Sequence, residues 1–171
     1  MSATTPPEEP TGDRKDRNYV KQSDFPRVGL SEALRIARAI SEHYAKQPTK
    51  PLDVAFALDL TPGAKVFKYL TGASIAYGLT EGGAQADQIS LTDLGRRIVA
   101  PPTEGDDLAA MREAVLRPRV IKEFLSRYNG SPLPKDNIAY NVLKKMGVAS
   151  GATERALRLI IDNASALGLI K

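Results

Sequence analysis

The stretch Pro51–Val99 reads PLDVAFALDLTPGAKVFKYLTGASIAYGLTEGGAQADQISLTDLGRRIV, and the order of its elements decides the fold. Pro51 suits the first turn of a helix, where its missing N–H is no loss. Leu52, Val54, Ala55 and Leu58 are the residues expected to pack inward from that helix. Asp59–Gly63 follows as a turn, because Pro62 and Gly63 stop any continuous helix. Ala64–Tyr77 is the next helix, with Val66, Phe67, Leu70, Ile75 and Ala76 as expected core contacts. Gly78 stands where a left-handed C-terminal cap belongs. Leu79–Thr80 begins a strand, Glu81–Ala86 turns through Gly82 and Gly83, and Gln88–Leu91 returns. Thr92 then caps a helix Asp93–Val99, closed by Leu94 and Ile98. Helix, turn, helix, hairpin, helix is the order of a winged helix-turn-helix unit.

Upstream, Ser31 is the expected N-cap of a helix reaching Lys46, with Ala33, Ala37, Ile40 and Tyr44 on one face. Residues 1–27 hold four of the twelve prolines and almost nothing apolar except Tyr19, Val20 and Phe25. Such a segment buries too little surface to offset its ordering entropy, so a disordered tail is expected. Downstream, helices are expected over Asp107–Leu116, Pro118–Tyr128 and Lys135–Met146, the last with Ile138, Ala139, Val142 and Leu143 inward. Thr153 is the expected cap of a final helix that reaches Leu167. There the phrase IIDNASALGLI parallels YLTGASIAYGLT, with Gly168 and Leu169 over Gly78 and Leu79. This faint duplication gives a second helix-turn-helix-like unit without a full wing. The expected organisation is therefore a tail over 1–27, a winged unit over 28–100 and a helical region over 101–171. The fold class is mostly α with one small antiparallel hairpin.

Composition narrows the chemistry. Cysteine is absent, which removes disulfides, thiolate metal sites and a cysteine nucleophile. His43 is the single histidine and has no ligand or nucleophile partner in the nearby sequence. No P-loop lysine accompanies the glycines of GVASGAT, and no carboxylate pair sits where its two pKa values would separate. Glu104, Asp106 and Asp107 open a helix and read as N-terminal dipole partners rather than as metal ligands. No enzyme, cofactor, metal or small-molecule substrate is expected. No apolar run approaches the roughly 20 residues that span a bilayer, and the polar N-terminus lacks a signal-peptide core. The expectation is a cytoplasmic protein with no membrane partner.

Charge permits nucleic acid as a partner without demanding it, since the net charge is only +4. In the winged arrangement the second helix of the pair enters a major groove. Its expected outward residues are Lys65, Lys68, Tyr69, Thr71, Gly72 and Ser74. Lys65, Lys68, Ser74, Arg96 and Arg97 are the candidate contacts to the phosphate backbone of double-stranded DNA. That helix carries no arginine, asparagine or glutamine for a bidentate base contact, and the hairpin tip has two acids and no base. The run Arg112, Arg117, Arg119, Lys122, Arg127 is the densest basic cluster, read as a solvated face or a phosphate-contacting one. The alternative to DNA is a protein-interaction or homo-oligomerisation module. Exposed apolar residues near Tyr69, Tyr77 or Leu169–Ile170 would favour it.

With FPRVGLSEALRIARAI, PLDVAFAL, YGLTEGG, ISLTDLGRRIVAP and EGDDLAAMREAVLRP in hand, residues 25–171 resemble a bacterial and archaeal family of uncharacterised tandem winged-helix regions. Members look like N-terminal regions followed, in some proteins, by TIR-like or other effector domains of defence systems. The resemblance implies the fold but no specific activity. The sequence carries no such effector domain, so a standalone partner or regulator of a defence-type system is the expectation it adds.

Overall fold

The computed structural model describes residues 21–170, and it is mostly helical with one two-stranded antiparallel sheet. The elements are α1 (Leu30–His43), α2 (Pro51–Ala57), α3 (Lys65–Ala76), β1 (Thr80–Glu81), β2 (Ser90–Leu91), α4 (Asp93–Val99), α5 (Asp106–Val115), α6 (Arg119–Arg127), α7 (Asp136–Lys145) and α8 (Thr153–Ala166). The tail expected over 1–27 lies outside the described residues up to position 20. From Lys21 onward the chain is packed, and the Phe25 ring is buried in the core.

Local signals in the sequence set most boundaries. Pro51 opens α2 at its first position. Thr92 caps α4 by accepting the Gly95 N–H at 3.0 Å. Gly78 closes α3 with φ +74°, a conformation that would strain any residue with a Cβ. There the N–H of Leu79 reaches back to the Ser74 carbonyl, which satisfies one of the helix's orphan acceptors. Other caps differ from expectation. Ser31 lies inside α1, and the α1 N-terminus is held by a distant side chain: the Leu30 N–H donates to Asn163 Oδ1 of α8 at 3.0 Å. Thr153 is the first residue of α8, its hydroxyl turned back to the Ser150 carbonyl at 3.1 Å.

In the hairpin, Thr80 pairs with Leu91 and Glu81 with Ser90. A third segment joins it: Thr49, in the loop between α1 and α2, forms an isolated antiparallel bridge with Ile89. Beneath α1, α2, α3 and β2 lies a core of Ile36, Ile40, Val54, Phe67, Leu70 and Ile89. The larger core is continuous from Leu34, Tyr77 and Ile98 through Val115 and Phe124 to Leu157 and Ile160. The stretches 28–100 and 101–170 therefore share one apolar interior.

The candidate interaction surface on α2 and α3

The α2 helix has seven residues and one buried stripe. Pro51, Val54 and Ala55 point into the core. Leu52 and Phe56, four residues apart, point the other way and stand 62% and 80% exposed. Leu52 was expected inward; the stripe set by Pro51, Val54 and Ala55 leaves it on the opposite side. Sequence reasoning passed over Phe56 altogether. Its signal was the i, i+4 spacing with Leu52, which marks a second apolar stripe on the same short helix.

The inward stripe of α3 is Phe67, Leu70, Thr71, Ala73 and Ser74. Two expectations are overturned by this. Ser74, a candidate nucleic-acid contact, is fully buried, and its Oγ accepts the Thr80 hydroxyl at 2.7 Å. Thr71 is equally buried, donating to the Phe67 carbonyl at 3.0 Å. Both hydroxyls sit one helical turn from core residues, so helical periodicity carries them inside. Conversely Val66 and Ile75, expected in the core, are 52% and 42% exposed. Ile138 of α7 is a third such reversal, at 51%.

The outward arc of α3 holds Lys65, Lys68, Gly72 and Ile75. Lys65 and Lys68 are exposed and form no ion pair among the described residues. Part of this arc is already occupied by the chain itself. The Gln22 side chain donates to the Tyr69 carbonyl at 2.9 Å and lies directly over Gly72, where a Cβ would collide with it. Arg27 stacks on Tyr69, its guanidinium carbon 5.2 Å from the ring centroid. Residues 22–27 thus strap the middle of α3 and leave its first turn open. Between α3 and the hairpin tip runs a shallow cleft of about 410 Å³ lined by Lys68, Gly72, Gly83 and Ala84.

The remaining candidate cations are largely engaged. Arg97 makes two bonds to Asp106, at 3.1 and 3.2 Å, and one to Glu113 at 2.9 Å. Those bonds, Asp106 first, hold the guanidinium above its usual pKa and join α4 to α5. Its charge is compensated within the fold, which corrects its expected role as a phosphate contact. Asp106, in turn, is an arginine partner. Arg96 is exposed and donates to the Lys46 carbonyl at 3.3 Å. In the basic run, Arg112 donates to the Leu167 carbonyl at 2.8 Å. Arg117 pairs with Glu113, and Arg119 with Asp24 and Glu123. Glu81 and Asp87 flank the hairpin tip and are exposed.

No helix among the described residues is long and apolar enough to cross a membrane. Comparison of the chain with family models, with curated proteins and with solved structures gave no match.

Proposed function

We propose that the chain is a non-catalytic protein-interaction module built on a winged helix-turn-helix-like unit. Its docking face is the outer side of α2 together with the first turn of α3. The exposure of Phe56, Leu52 and Val66 carries this reading. Single exposed apolar residues are ordinary on a protein surface, whereas several on consecutive short elements mark a place for a partner. Burying a phenylalanine contributes about 1.5–3 kcal/mol, enough for one such residue to anchor an interface. The engaged arginines and the acidic hairpin tip fit this reading better than they fit a phosphate-binding surface. The resemblance to tandem winged-helix regions of defence systems is in keeping with a role in assembly or regulation.

The test is a Leu52→Ser/Phe56→Ser variant, checked for intact folding by circular dichroism. Sedimentation reads self-association, and quantitative capture from source-cell lysate reads other partners. The expected result is an association that the variant weakens about tenfold or more. Association equal in both proteins, or absent from both, removes the proposal.

Duplex DNA is the second reading, favoured by Lys65 and Lys68 standing free of ion pairs among the described residues at the open end of α3. Binding of that kind has a log–log salt slope of about −0.9 for each phosphate neutralised. Lys65→Ala/Lys68→Ala should then weaken binding to all sequences alike and flatten the slope. No binding at low salt leaves the protein reading alone.

A further inference from the structure

The second half of the chain repeats the first more closely than its sequence suggests. Helix α1 ends at a C-cap tyrosine, Tyr44, and α6 ends at another, Tyr128. Two residues beyond each tyrosine the backbone turns left-handed, with φ +62° at Lys46 and +75° at Gly130. Two further on stand Pro48 and Pro132, followed by Thr49 and Leu133. At the other end, α3 and α8 close on Gly78 and Gly168, with φ +74° and +67°. The same backbone bond follows each glycine, from Leu79 to the Ser74 carbonyl and from Leu169 to the Ala164 carbonyl. An arginine lies over each glycine, Arg117 over the first and Arg112 over the second. By this correspondence Leu133 occupies the place of Thr49, and Ile170 the place of Thr80.

In the first unit those two places border the β2 strand. Thr49 exchanges both backbone hydrogen bonds with Ile89, at 2.9 and 2.7 Å, and Thr80 pairs with Leu91. The Ile89 and Leu91 side chains fill the space between and are buried. In the second unit the same place is an open cleft of about 630 Å³, bordered by Leu125, Tyr128, Leu133, Leu169 and Ile170. Its apolar walls are only half-buried. No backbone group of residues 21–170 bonds to the Leu133 main chain.

We propose that this cleft is a docking site for an extended strand supplied by a separate polypeptide. The strand carries aliphatic side chains at alternate positions, as Ile89-Ser90-Leu91 does. Its backbone pairs with Leu133 on one side and Ile170 on the other, and its two aliphatic side chains enter the cleft. Main-chain pairing supplies the affinity, and the spacing of the apolar residues supplies the selectivity. Among the described residues the strand of this pattern, Ser90–Leu91, is already committed to β1. Residues 1–20 contain one valine and neither leucine nor isoleucine. A strand from another chain is therefore the occupant. The cleft is distinct from the α2 face, so the two readings fail separately.

A fluorescein-labelled peptide with the sequence of residues 86–92, ADQISLT, is the direct probe, titrated into the full chain and read by anisotropy. Saturable binding is expected, with the Leu133 and Ile170 amide resonances shifting in a labelled sample. Affinity should fall about tenfold or more with Ile170→Asp, and likewise when the peptide's Ile and Leu become Asp. It should be unchanged in the Leu52→Ser/Phe56→Ser variant. Because an isolated peptide loses much entropy on ordering, a second protein carries the strand covalently: residues 81–99 repeated after Lys171. The melting temperature of that protein should rise, and Ile170→Asp should cancel the rise. Peptide binding indifferent to Ile170→Asp overturns the proposal, as does absence of both peptide binding and thermal gain. Concentration-dependent dimerisation of the unmodified chain that Ile170→Asp abolishes would assign the cleft to a second copy instead, and this too overturns it.

Discussion

The carboxamide of Asn163 joins elements that lie up to 133 positions apart in sequence. Its oxygen caps α1 at Leu30, and its NH₂ donates to the Tyr77 hydroxyl at 3.0 Å, which donates in turn to the Val28 carbonyl at 2.9 Å. Asn163→Ala leaves the buried Leu30 N–H without an acceptor, at a cost of about 1–3 kcal/mol. A lower urea midpoint with an unchanged slope is the expected result. Tyr77 adds a pH dependence. Burial raises its phenol above the ordinary value of 10.0, and the Asn163 hydrogen bond offsets this only in part. Below pH 10 folded and unfolded chains both keep this proton, so the contribution is constant. Above pH 10 the unfolded chain releases it while the folded chain retains it, and stability falls by up to about 1.4 kcal/mol per pH unit. Urea midpoints between pH 8 and 11 should show that fall for the native protein, and a shallower one for Tyr77→Phe.

At the scale of elements, the sequence was most legible where single residues punctuate the chain. Pro51, the Pro62-Gly63 pair, Gly78 and Thr92 marked the ends of α2, α3 and α4 because each acts through its own backbone geometry or a neighbouring N–H. Helix faces were harder to read. On a helix as short as α2, both Leu52 and Val54 fit an apolar stripe, and only the packed neighbours decide between them. The candidate site suffered most, because partners distant in sequence settle it. Thr80 consumes the Ser74 hydroxyl, and Asp106 and Glu113 consume the Arg97 charge. The strap over α3 is of the same kind, and it explains why a glycine is tolerated at position 72 inside a helix. Gly72→Ala would gain about 1 kcal/mol of helix propensity. It would also push aside the flexible Gln22 side chain and lose one hydrogen bond of about 0.5–1.5 kcal/mol. Stability within about 1 kcal/mol of the native protein is expected, together with faster hydrogen exchange at residues 21–28. A large loss of stability with unchanged exchange there would mean that something other than the strap fills the space over Gly72.

Across the whole molecule, the charge excess in the second half is spent on holding the halves together. Arg97 bridges α4 to α5, Arg112 reaches the end of α8, and Arg119 reaches both Asp24 and the Met146 carbonyl at the end of α7. These bonds lie at the rim, where solvent screens them, and the continuous core beneath supplies most of the attachment. That core draws Leu30, Leu34, Tyr77, Leu94 and Ile98 from before residue 100, and Ala110, Val115, Ile121, Phe124, Leu157 and Ile160 from after it. Neither half can be removed without exposing the other's apolar face, so the chain should unfold as one cooperative unit although its elements are arranged as two similar units. Calorimetry should show a single transition whose calorimetric and van't Hoff enthalpies agree. Asn163→Ala, located in α8, should lower that one transition for probes in both halves, including the near-ultraviolet signal of Tyr77. Two resolved transitions, with the substitution moving only the second, would mean that the shared core is too weak to couple the units. The open cleft beside Leu169 and Ile170 would then belong to a separately folding domain, and its loading by a strand would leave the α2 face unaffected. In the coupled molecule, a strand that fills the cleft should instead raise the stability of α1 through α4 along with that of α8.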